Sequence, residues 1–186
     1  MARYLDEHSG MGLVYADEQR IDEKRHLSEH RKRPAPDVVL ARGNRMGLCV
    51  MWRRELWEKV GQFDSTFDSA EDYDYWERAA RHFCFGHLEG RPLLSVRIHA
   101  DMGSRKYAGR QEMLAAEILS RYASGSAAGR KAIAEGYLNA AYNYGAGGKR
   151  MASLRCLWRA LVYRPFDLAV CARVPGTLRR IALPGP

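Results

Sequence analysis

The chain has 186 residues, 46% of them hydrophobic, enough for one domain or one domain with a small appendage. No stretch approaches the roughly 20 consecutive apolar residues that span a bilayer, and the first eight residues are charged where a signal peptide would be apolar. A cytosolic address is therefore expected. The formal net charge of +8 is unevenly placed: residues 1–100 hold 16 Lys/Arg against 17 Asp/Glu, and residues 101–186 hold 14 against 5. The basic excess belongs to the C-terminal part, which suits an anionic membrane, nucleic acid, an anionic substrate or simply a solvated helical face. Cys49, Cys84, Cys156 and Cys171 show no Cys-x-x-Cys spacing and read as buried reduced thiols, not as a metal site or disulfide framework.

Residues 1–8 read as a helix end stopped by Ser9-Gly10, and residues 12–16 as a short apolar strand. Residues 17–37 are highly charged, include Pro34 and Pro36, and read as an exposed loop. Residues 47–52 form the best buried-strand candidate, followed by a helix over 54–60 that stops at Gly61. Ser69 is the expected N-cap of a helix over about 70–83, with Asp72 three residues on in a variant capping box. Residues 83–88 and 92–97 look like two short strands around a turn at Gly90.

From about Gly109 the pattern turns helical, with segments at 111–122, 127–144 and 149–163 and a short fourth at 166–173. The stretch from Gly136-Tyr137 to Ala160 and Pro165 resembles a helical hairpin of the tetratricopeptide kind. One hairpin falls short of the roughly three repeats a solenoid needs, so it reads as an appendage. The division expected is residues 1–107, carrying the chemistry, and residues 108–186, a basic helical extension.

The densest chemistry lies in Glu71-Asp72-Tyr73-Asp74-Tyr75-Trp76-Glu77-Arg78. A carboxylate held at a helix start in a partly apolar pocket suits a general base, because burial lifts its pKa while the helix dipole favours its charge. The same run is also what an ordinary acidic helix start looks like. Its context adds an ordered series: Asn44-x-x-Gly47, a strand ending in Arg53-Arg54, Val60-Gly61-x-Phe63-Asp64, Glu71-Asp72, then Arg97-x-His99.

Over roughly residues 10–107 this series resembles the acceptor-binding half of family-2 glycosyltransferases, inverting enzymes of the GT-A fold. The resemblance implies an α/β domain, a partial GT-A (Rossmann-like nucleotide-diphospho-sugar transferase) fold lacking its N-terminal nucleotide-binding half. It makes Asp72 the general base and Glu71 a supporting carboxylate, with Trp76 and Arg78 shaping the acceptor wall. Asn44 and Gly47 would build a loop facing donor or acceptor, though as a plain turn before a strand they need no ligand. His99 would sit near the metal or diphosphate as a Mn²⁺ or Mg²⁺ co-ligand, flanked by Arg97 and Arg105, whose forks suit diphosphate oxygens. A loop histidine touching only water is the alternative. Asp101 lies nearby with its role open.

The implied reaction moves a sugar from a nucleotide-sugar donor to a hydroxyl of a glycan or lipid-linked acceptor, in surface polysaccharide or glycan assembly. The implied place is the cytoplasm, with peripheral contact at the inner membrane face through the basic helices. Such enzymes hold their metal with an Asp-x-Asp after a buried strand. Here the only Asp-x-Asp is Asp72-Tyr73-Asp74, already claimed by the base motif. A fragment or truncated relative, inactive alone, is the expectation. Two other classes compete: a non-catalytic interaction module built on the helical hairpin, and a basic nucleic-acid-binding protein. The second lacks a recognisable helix-turn-helix or aromatic RNA signature, and no nucleic acid is expected.

Overall fold

The structure, a computed structural model, describes residues 1–90, 92–99 and 102–182, with only the backbone of Ser104, Arg105 and Ala108. The chain is mixed α/β and divides into two compact units, Met1–Met102 and Gly103–Pro186.

Among the described residues the first unit carries all the strands: β1 (Met11–Ala16), β2 (Glu18–Ile21), β3 (Leu27–Arg31), β4 (Val50–Trp52), β5 (Cys84–Leu88) and β6 (Leu94–Arg97). β1 lies between β4, antiparallel, and β5, parallel, and every residue from Gly12 to Ala16 is buried. A central strand covered on both faces should be a continuous apolar run, and this one is. β2 in turn lies between β3, antiparallel, and β6, parallel. Only Asp17 separates β1 from β2, so one bent segment is the middle strand of both three-stranded sheets.

Two expectations change here. Residues 17–37 are not one loop, because β2 and β3 form a hairpin within them. All five residues of β3 are exposed, so neither face carries the apolar alternation by which a strand is recognised. The strands at 84–88 and 94–97 do not pair with each other. They run on from one another alongside β1 and β2.

Three helices belong to this unit: α1 (Ala2–Glu7), α2 (Arg54–Val60) and α3 (Glu71–Ala79), with a 3-10 turn at Ser65–Phe67. α2 stops where Gly61 takes φ +80° and its N–H returns to Trp57 O at 2.9 Å. α3 packs Tyr75 and Trp76 into an aromatic cluster with Trp52 and Phe63, at centroid distances of 4.4–6.5 Å. Leu13, Val14, Tyr15, Val39, Met46 and Leu56 complete the core at 0% exposure.

The second unit is helical: α4 (Gly103–Lys106), α5 (Ala108–Tyr122), α6 (Ala127–Ala146), α7 (Arg150–Tyr163) and α8 (Leu168–Ala182). α6 is the hub, packed against α5, α7 and α8, and is apolar around most of its circumference, as a central helix must be. Ser126 caps it, its Oγ accepting from Gly129 N at 2.9 Å. The fourth helical segment is longer than expected, running through Pro175 to Ala182. Among the described residues no helix is long and apolar enough to cross a membrane. All four cysteines are free. Cys49 and Cys156 are buried, whereas Cys84 and Cys171 are exposed, which corrects the expectation of four buried thiols.

Candidate functional site

The acidic run folds as the first turns of α3, with Glu71, Asp72 and Asp74 in the opening turn. The N-cap is Ala70, not Ser69. Ser69 instead takes φ +80°, in the left-handed region a β-carbon disfavours, and its buried Oγ has no partner among the described residues. No capping box forms. At the helix start Tyr73 N and Asp74 N donate to Ala70 O at 3.1 and 3.3 Å.

Asp72 is thereby free for other bonds. Its Oδ1 accepts from Tyr73 N at 2.7 Å, and its Oδ2 accepts from Asn44 Nδ2 at 2.6 Å. The Asn44 amide is oriented by its other end, since Oδ1 accepts from Met46 N at 3.1 Å. Burial pushes the Asp72 carboxyl above its ordinary 3.8, and the charge of Glu71 pushes the same way. The bonds from Tyr73 N and Asn44 pull it back only in part. The result is a carboxylate more basic than an exposed aspartate, held at fixed orientation. In the same stretch of chain, Ser69 Oγ, Glu71 Oε2, Tyr75 OH and Trp76 Nε1 are buried and have no hydrogen-bond partner among the described residues. Buried polar atoms are almost always satisfied, so four unpartnered ones within residues 69–76 are unusual.

The other expected site residues separate into groups. Trp76 is 4% exposed, inside the aromatic cluster. Arg78 clamps α3 to the end of α2: Nε donates to Asp74 Oδ2 at 2.8 Å, Nη1 to Val60 O at 2.6 Å and Nη2 to Gln62 O at 2.8 Å. Asp74, the second carboxylate of the sole Asp-x-Asp, is thus committed to an ion pair. Arg97 ends β6 opposite Ile21, and His99 follows two residues later; both are exposed, and no described hydrogen bond joins either to Asp72. The side chain of Arg105 and the whole of Asp101 lie outside the described residues.

Gly47 belongs to a second centre, which the sequence reading missed. It takes φ +87°, and a β-carbon there would collide with the Arg33 and Glu18 side chains. Glu18 and Arg33 form a buried ion pair, and Glu18 Oε1 also accepts from Leu48 N and from Cys49 N. Next to it, Asp17 accepts from Arg33 N and Gly90 N at 2.9 Å each, and His87 Nε2 lies 2.8 Å from its Oδ1. Although burial opposes it, these bonds hold the Asp17 carboxyl below its usual range. Asp17 therefore pins the bend between β1 and β2 to the chain after β3 and after β5. The available signal was two acids placed directly after a buried strand.

No family model matches the chain, and no curated protein matches it. Among the described residues no three His, Cys, Asp or Glu side chains converge on a point where a metal could sit. His99 by itself is not a metal shell, and the Mn²⁺ or Mg²⁺ expected of a complete enzyme stays part of the proposal below.

Proposed function

We propose that the first unit is the acceptor side of an inverting glycosyltransferase of GT-A type, with Asp72 as the general base. The observation that carries this is a half-buried carboxylate at a helix start, raised in basicity and oriented through Asn44. In the proposed step Asp72 takes the proton of the acceptor hydroxyl. The oxygen bonds to the anomeric carbon from the side opposite the leaving group, and the bond to the nucleoside diphosphate breaks with its electron pair. Glu71 keeps Asp72 basic by repulsion. Arg97, Arg105 and His99 are the groups this reading assigns to the departing diphosphate.

The donor grip lies with residues other than the Asp72-Tyr73-Asp74 run, because Asp74 is held by Arg78. Donor sugar, nucleotide and acceptor class stay part of the proposal: a nucleotide sugar, and a glycan or lipid-linked hydroxyl. The cytoplasmic side of a membrane is the place it implies.

The test uses the protein purified from the cells that make it, incubated with a panel of nucleotide sugars and a glycolipid extract. Nucleoside diphosphate release is followed in wild type and Asp72→Asn. Loss of a general base should lower the rate about 10²–10⁴-fold. Measurable release at equal rates in the two proteins would end the proposal.

A further inference from the structure

The second unit has an outer face that its own packing leaves uncovered. Along α7, Met151, Leu154, Trp158 and Val162 recur at three- and four-residue steps, and all are exposed, at 74, 41, 69 and 60%. This spacing places them on one stripe about 16 Å long. Phe166 and Leu168, directly after the helix, are 93% and 86% exposed. Helix α7 contains no acidic residue. From Lys149 to Ala182 the sole acid is Asp167, which is paired with Arg164 at 2.8 Å and caps α8 through Ala169 N. Arg155 lies within the stripe and makes no ion pair among the described residues. Arg159 borders it, stacked over Tyr137 and bound to Glu117.

We infer that this face docks on an anionic lipid bilayer, with α7 lying in the plane of the interface. The apolar stripe, Phe166 and Leu168 enter the boundary between headgroups and acyl chains, while the arginine stems run along the apolar surface and their heads reach lipid phosphates. Charge decides among occupants. A second copy would set the same stripe on itself across a two-fold axis, bringing Arg155 close to Arg155 while Glu117 and Asp167 are already paired with Arg159 and Arg164. Nucleic acid would engage the arginines but gives Met151, Val162 and Leu168 nothing apolar to bury against. An anionic bilayer supplies both phosphate and hydrocarbon. The inference rests on the second unit alone and stands or falls independently of Asp72.

The experiment is flotation of the full chain with phosphatidylcholine vesicles, with and without phosphatidylglycerol, at low and high salt. Wild type should float with the anionic vesicles and be released by salt, and Trp158→Ser and Phe166→Ser should each lower the partition constant roughly tenfold. These exposed positions leave the core intact, and circular dichroism checks that. Brominated acyl chains should quench part of the tryptophan fluorescence, and Trp158→Phe should remove that part while still binding. No flotation at low salt would overturn the inference, as would undiminished binding by the serine variants. Self-association lost in Trp158→Ser without lipid binding, or salt-sensitive binding of duplex DNA in place of vesicles, would overturn it too.

Discussion

Asn44 Nδ2 donates to Asp72 Oδ2 at 2.6 Å, joining two residues 28 positions apart. The bond does two opposite things. It fixes the carboxylate in one orientation, and by stabilising the charged form it tempers the rise that burial imposes. A general base needs both properties: a raised pKa without becoming a neutral acid at working pH.

That arrangement has a cost in stability. The native Asp72 carboxyl titrates above its unfolded value, so the folded state holds the proton more tightly across the window between the two. Stability is full below the window and falls as pH rises through it. Asp72→Asn removes the half-buried charge and should therefore raise Tm at neutral pH, with the gain shrinking toward pH 3.8 as the wild-type carboxyl becomes protonated. Calorimetry of both proteins across that range checks it, and a lower Tm for the variant at neutral pH would count against the burial argument.

Asp17 should behave in the opposite sense. Its carboxyl is held below the usual range, so its contribution is present above the unfolded pKa and is lost as pH falls through the folded one. Asp17→Ala leaves Arg33 N and Gly90 N without their acceptor and should cost about 3 kcal/mol at neutral pH. Denaturant unfolding at neutral and acid pH measures this. The variant should be the less acid-sensitive protein.

Gly47→Ala and Arg33→Ala test the neighbouring centre. The first adds a β-carbon at φ +87° against both members of the ion pair, a cost of about 1–3 kcal/mol. The second strands the Glu18 charge in the interior, a cost of about 3–5 kcal/mol. Urea midpoints rank them, and a harmless Arg33→Ala would show that the pair is solvated.

Ser69 carries backbone strain immediately before the proposed base. Ser69→Gly relieves the left-handed penalty and removes an unpartnered buried hydroxyl, so it should stabilise the fold by up to about 1 kcal/mol. The Tm of the glycine variant decides this. A loss of stability would mean that the Oγ has a bound partner, which is itself a site.

The parts readable in sequence are those with a strong local signal. α2 runs from Arg54 to Val60 as its glycine stop implies, and α5, α6 and α7 fall close to their expected spans, whereas α8 runs nine residues past its expected end. Non-local pairing was the harder part. Nothing in residues 27–31 announces a strand, since both faces of β3 are wet, and the parallel match of β2 with β6 joins segments about 75 residues apart. The Glu18–Arg33 pair was hidden because a charged stretch with prolines looks like loop whether or not two of its charges meet inside the protein. Asn44 and Asp72 were named from the ordered series, whereas their bond came only with the structure. Ser69 failed as a cap for a conformational reason: at φ +80° it sits one residue before the true N-cap.

The most direct measurement is the pH dependence of kcat/KM for sugar transfer by wild type and Asn44→Ala, each isolated from the cells that make it together with the protein that completes its donor half. The account predicts an acid limb above the ordinary aspartate value of 3.8 in wild type, moved higher in Asn44→Ala because the bond that favours the charged carboxylate is gone. An acid limb at the same pH in both proteins would contradict Asp72 as the base.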